Sequence, residues 1–287
     1  MTTRWASLGR FVAFAALTFA AGAIGRATFD ETLRISLVWP LYGVVVLWLA
    51  SGSRRSAPWD ALGMSVAVAA SVLLDGGSWQ QTVVAAVLAA PAAGLWLLLM
   101  RRLVPDMWGA GGRRPLSRLP DLVAFIVAST ITAVATAGLR GTGLGLVPPA
   151  SGLDEVLLTA IRNLSWILGL GALGLLLLPH GRTVVARARV AFLESGDRPL
   201  LRVVETAALL LVAALLASVA FSPDPVPIAF SLVLVTVWAG FRLPPVGALL
   251  LALALGTIGV LATLQGQGAF RFSVTPFEGA AIAQAFL

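Results

Sequence analysis

The stretch Ile-Arg-Asn-Leu-Ser-Trp at residues 161–166 sets an arginine inside an otherwise apolar run. A charge at the centre of a bilayer costs about 2.5 kcal/mol or more, so an arginine kept there is expected to serve a function. Arg162 and Trp166 stand four residues apart and share one helix face, where a guanidinium can stack on an indole. The competing reading has Arg162 extending outward to the lipid headgroups. A second polar group lies in Leu-Val-Trp-Pro-Leu-Tyr-Gly at 37–43. Read as part of a helix, Pro40 leaves the carbonyl of Ser36 without its donor. Such a carbonyl is tolerable only when it is buried in protein or lines a polar cavity. Gly43 lets another helix approach closely, and Tyr42 adds a hydroxyl. Trp39, Pro40, Tyr42, Gly43, Arg162, Asn163 and Trp166 fall at one depth of their spans. Together they form a candidate pocket for an unknown small-molecule ligand, anionic or aromatic. The alternative is an interfacial tryptophan beside a packing kink.

Other chemistry finds little support. The chain has no cysteine and one histidine, His180, so neither a thiolate metal site nor a Ser/His/Asp set can be assembled. No metal, no cofactor and no enzymatic activity are expected. Gly-Thr-Gly-Leu-Gly-Leu at 141–146 imitates a phosphate loop without the strand that should precede it. Asp30/Glu31 and Asp154/Glu155 sit at helix ends, where solvation or the helix dipole accounts for them. The net charge is +7 and every basic residue is arginine, placed in short loops between apolar runs. Membrane topology explains that charge better than nucleic-acid binding does.

The elements that must position these residues are apolar helices. Of 287 residues, 59% are hydrophobic and 11% charged, with mean hydropathy +0.94; a soluble domain is about 25% charged. The basic, apolar start resembles a signal peptide, but the apolar runs that follow favour a first spanning helix. At about 20 residues per span the sequence predicts ten: 8–24, 33–50, 59–74, 82–100, 119–139, 155–178, 201–221, 225–241, 246–264 and 277 onward. With the N-terminus in the cytoplasm, fifteen arginines fall inside and four (Arg26, Arg34, Arg140, Arg271) outside, as the positive-inside tendency requires. The inner loop 180–202 has the makings of an interfacial helix, and both large inner loops attract anionic membrane lipid or a cytoplasmic partner. The last run, 277–287, is too short to cross a bilayer, which leads us to expect a continuation into the cytoplasm.

The second and eighth spans are both short, carry proline near one end, and lead through Trp-Leu-Ala-Ser-Gly-Ser-Arg-Arg and Trp-Ala-Gly-Phe-Arg into Ala/Gly-rich helices. A parallel internal repeat is one reading, and paired short helices are also found in transporters.

Three stretches carry a family resemblance. Ser-Leu-Val-Trp-Pro-Leu-Tyr-Gly (36–43), Asn-Leu-Ser-Trp-Ile-Leu-Gly-Leu-Gly (163–171) with its run to Pro179, and residues 227–270 resemble the bacterial membrane-associated sensor domain of the first class (MASE-type). The matching positions are Trp39, Pro40, Gly43, Trp166, Gly174, Pro179, Trp238, Arg242, Gly266 and Gly268. Leu41, Tyr42, Leu243, Pro244 and Ala269 depart from it, and the central helix lacks the acid often found in that family. The resemblance implies one integral membrane sensory domain over 1–287 that feeds an output domain in cis, of diguanylate cyclase, phosphodiesterase or histidine kinase type. The expectation is therefore an all-α polytopic bundle of eight to ten helices in the bacterial inner membrane, with its N-terminus cytoplasmic. It would bind lipid and a small ligand and, with a kinase or cyclase output, form a homodimer. A small-molecule transporter is the alternative.

Overall fold

The structure is a computed structural model that describes residues 2–30, 35–74, 76–148, 152–178, 199–222, 228–272 and 281–283. It is an all-α bundle. Among the described residues, seven helices are long and apolar enough to cross a membrane, and two apolar helices are shorter. The expected spans and the helices agree within a few residues, apart from the second and eighth. Pro179, the loop 180–198 and most of the run from Phe277 lie outside the described residues. The chain divides into two compact units, Met1–Leu175 and Leu176–Leu287.

The first unit contains α1 (Thr2–Ala27), α2 (Leu41–Ser51), α3 (Ala57–Leu74), α4 (Trp79–Leu103), α5 (Leu119–Gly141) and α6 (Leu153–Leu177). Leu122, Val123, Val127 and Val134 on α5 are exposed, the side chains a lipid-facing surface needs. Helix α2 differs. It has no polar face, and Leu41–Ala50 are all buried, as expected of a helix that is apolar all round. At 1.5 Å per residue its 11 residues reach about 16 Å, against a hydrocarbon core of about 30 Å. Its solvent is therefore the other helices.

The second span was expected as one helix over 33–50. Instead, Ile35–Ser36 pairs antiparallel with Phe29–Asp30, and the helix begins at Leu41 with Pro40 as its N-cap. Proline at a helix start costs nothing, because the N–H it lacks has no helical acceptor there. Pro40 thus starts a helix and does not kink one. Thr28 secures the extended strand: its carbonyl accepts from Leu37 N–H at 3.0 Å, and its Oγ1 accepts from Val38 N–H at 3.1 Å.

Glycines set the distance between α2 and α6. A Cβ on Gly43 would come within 2.6 Å of the Trp166 carbonyl oxygen and of Leu170 Cβ, and one on Gly174 would overlap the Leu47 side chain. Small residues at such points let helix backbones meet. Between these two contacts α6 widens into a π-turn at Ile167–Gly171.

At the end of α2 away from Pro40, charges are paired. Arg10 of α1 donates to both carboxylate oxygens of Asp60 on α3, at 2.7 and 2.8 Å. It also donates to the Trp48 carbonyl at 3.2 Å, while the Trp48 indole N–H donates to Asp60 at 3.2 Å. Arg114 pairs with Asp121 at 2.8 Å.

The second unit contains α7 (Pro199–Ala220), α8 (Ser231–Arg242) and α9 (Pro245–Leu264). Leu209, Ala213, Val235 and Ala239 form its core. The eighth span, expected from 225, is observed as a helix from Ser231; residues 223–227 lie outside the described residues. The Trp238 indole N–H donates to Glu205 at 3.5 Å, and Arg242 pairs with the same carboxylate at 2.7 Å. Beyond α9, Gly266 and Gly268 adopt positive φ angles of 66° and 82°, which glycine adopts without strain. The Gly268 N–H donates to the Ser222 carbonyl at 3.2 Å. Each unit thus holds a long–short–long helix triplet, α1–α2–α3 and α7–α8–α9. In each triplet the tryptophan late in the short helix hydrogen-bonds a carboxylate that also holds an arginine.

Candidate functional site

Connectivity brings the C-terminal ends of α1, α3 and α5 together with the N-terminal ends of α2, α4 and α6. A cavity of about 670 Å³ opens among them within the first unit. That volume lies within the range of small-molecule sites. Its wall includes Trp39, Tyr42 and Arg162, with Arg26 from the last turn of α1 and Arg140 from the last turn of α5. Deeper on α2 and α4 the wall is apolar, at Val45, Val84 and Leu88. Leu146, Val147 and Pro148 border the cavity too; the glycine-rich stretch just before them makes a 3-10 turn at Gly143–Gly145, with Leu144 at φ 48°.

Arg162 is the centre of the arrangement. Its side chain is buried, with 1% of the residue exposed. Nη1 donates to the Ser36 carbonyl at 3.0 Å, the carbonyl that the extended strand before Pro40 leaves available. Nε and Nη2 donate to Asn163 Oδ1 at 3.4 and 3.2 Å. The guanidinium carbon lies 5.6 Å from the centre of the Trp39 ring, and that ring fills the space beside Gly25 of α1. The expected stacking on Trp166 does not occur. Arg162 reaches across to the start of α2, where a carbonyl and an indole face both wait, and no one-turn neighbour offers the pair. Trp166 is buried, and its indole nitrogen has no hydrogen-bond partner among the described residues.

No carboxylate among the described residues pairs with Arg162. Arg140, which shares the cavity wall, carries a charge of the same sign. Asn163 is held in turn by Thr136 of α5, with Nδ2 at 3.5 Å from Oγ1. Of five guanidinium N–H groups, three are used among the described residues, which leaves one on each terminal nitrogen. A carboxylate or phosphate takes such a pair as a fork.

Of the residues chosen from sequence, Trp39, Tyr42 and Arg162 reach the cavity wall. Pro40, Gly43, Asn163 and Trp166 stand behind it: Asn163 braces the guanidinium, Gly43 and Trp166 pack α2 against α6, and Pro40 starts α2. Sequence reasoning missed Arg26 and Arg140 as parts of the cavity, having counted them only as loop charges. Their position in the last turn of two helices that end on the Arg162 side was the available signal. Among the described residues no cluster of His, Cys, Asp or Glu could hold a metal ion. Compared with family models, with curated proteins and with solved structures, the chain matches none.

Proposed function

We propose that the chain is an integral membrane input domain that binds a small anion in the Arg162 cavity and passes the binding event to a partner or output domain on the other side of the membrane. The observation that carries this reading is a buried arginine in the cavity wall, Arg162, that has no carboxylate partner among the described residues. A buried charge left unpaired costs several kcal/mol, and an anion in the cavity offsets that cost. Orientation follows from the arginines. The end holding Arg10, Arg54, Arg55, Arg101, Arg102, Arg113, Arg114 and Arg118 is the cytoplasmic one, so the cavity opens away from the cytoplasm in a bacterial plasma membrane. The motif resemblance around Trp39, Trp166 and Trp238 supports a MASE-type sensory role with output in cis, and dimerisation where that output is a kinase or cyclase. Binding shifts the bundle only through unequal affinity for two arrangements.

The test is thermal protection of the purified protein by a panel of small anions, in the wild type and in Arg162→Ala. Protection of the wild type alone supports the reading; equal protection of both, or of neither, contradicts it. The matched triplets α1–α2–α3 and α7–α8–α9 favour a second reading, a transporter. Proteoliposomes separate the two: flux of the bound anion supports transport, and binding without flux supports sensing.

A further inference from the structure

We infer that the cavity selects a monocarboxylate that carries an apolar or aromatic body, a short fatty acid or an arylalkanoate, over inorganic oxyanions. The inference rests on the anion-binding reading above and names the ligand class for the same site. Three features carry it. Among the described residues Arg162 is the one buried cation in the wall, and its two remaining N–H groups match one carboxylate. Arg26 and Arg140 are exposed, where water screens them. A compact, multiply charged ion would meet one buried cationic partner. The third feature is the apolar wall beyond the head site, at Val45, Val84 and Leu88, each buried. With a volume of about 670 Å³, the site has room for a body well beyond that of acetate. The hydrogen bonds to Ser36 and Asn163 fix the plane of the guanidinium and so the direction in which a bound carboxylate points.

Burial of each methylene is worth about fourfold in affinity until the tail fills the wall. The experiment is calorimetric titration of the full chain in detergent with acetate, butyrate, octanoate, phenylacetate, inorganic phosphate and octanamide. Octanoate and phenylacetate are expected to bind at least about tenfold tighter than acetate and phosphate, and octanamide at least about tenfold weaker than octanoate. Arg162→Ala is expected to lose octanoate binding by more than tenfold. Val84→Phe fills the apolar wall and leaves the head site intact, so it is expected to lose octanoate and keep acetate. Equal, Arg162-dependent binding of acetate, phosphate and octanoate overturns the ligand class and leaves the anion site standing. Octanamide binding as tightly as octanoate also overturns it. Loss of all Arg162-dependent binding overturns both the ligand class and the proposed function.

Discussion

Helix α2 has an arginine contact at each end, part-buried at Arg10 and buried at Arg162, and the two are built oppositely. At its C-terminal end Arg10 meets Asp60 through both carboxylate oxygens, and the Trp48 indole holds the same carboxylate. At its N-terminal end Arg162 has a backbone carbonyl, an amide oxygen and the face of Trp39, but no carboxylate among the described residues. Both arginines sit in apolar helices of similar composition. The first pairing is complete and ties α1, α2 and α3 together. The second is fixed in geometry and open in charge. Under the proposed function the difference separates an arginine used for structure from one kept for a ligand, and substitutions at each end of α2 should respond accordingly.

The largest effect is expected from Asp60→Asn, which leaves Arg10 without its counter-charge and weakens the hold on Trp48. Stability should fall by about 3 kcal/mol or more, read as a lowered unfolding midpoint in detergent. A drop as small as that of a surface change would break the contrast. Gly43→Ala comes next. Its methyl group would press on the Trp166 carbonyl, which belongs to backbone and cannot swing aside. Overpacking of this kind costs about 1–3 kcal/mol, and ligand affinity should fall with it as α2 shifts away from α6. Arg162→Ala should change stability less than Asp60→Asn does, because the removed charge has no ionic partner among the described residues to strand. Thermal protection by carboxylates should nevertheless vanish. The smallest effect belongs to Glu205→Gln in the second unit. Its partner Arg242 is 59% exposed, so the pair is worth less than about 1 kcal/mol, and the melting temperature should barely move. A loss comparable to that of Asp60→Asn would mean that the two tryptophan–carboxylate–arginine clusters have equal structural weight.

Much of this architecture was legible in the apolar runs, because a bilayer demands segments of about 20 residues and arginine marks their ends. Helix α2 was harder. Its ten buried residues look like a spanning segment, yet the run before Pro40 is extended. Hydropathy alone does not separate a strand buried in protein from a helix in lipid, and the deciding partners, Thr28 and Arg162, are distant in sequence. For the same reason Arg162 was recognisable as unusual while its partner was not. Helical spacing pointed to Trp166, four residues on, whereas the contact to Trp39 bridges two helices. Arg26 and Arg140 were visible only as topology, since no local pattern tells a loop arginine at a headgroup from one at a cavity mouth.

The central claim, that Arg162 is an anchor for an apolar carboxylate, is tested most directly by an experimental structure with 4-bromophenylacetate bound, in which bromine marks the body and the carboxylate marks the head. The carboxylate is expected at hydrogen-bonding distance from both terminal nitrogens of Arg162, with bromine against Val45, Val84 or Leu88. A carboxylate held elsewhere, or a cavity that stays free of the compound at saturating concentration, would contradict it.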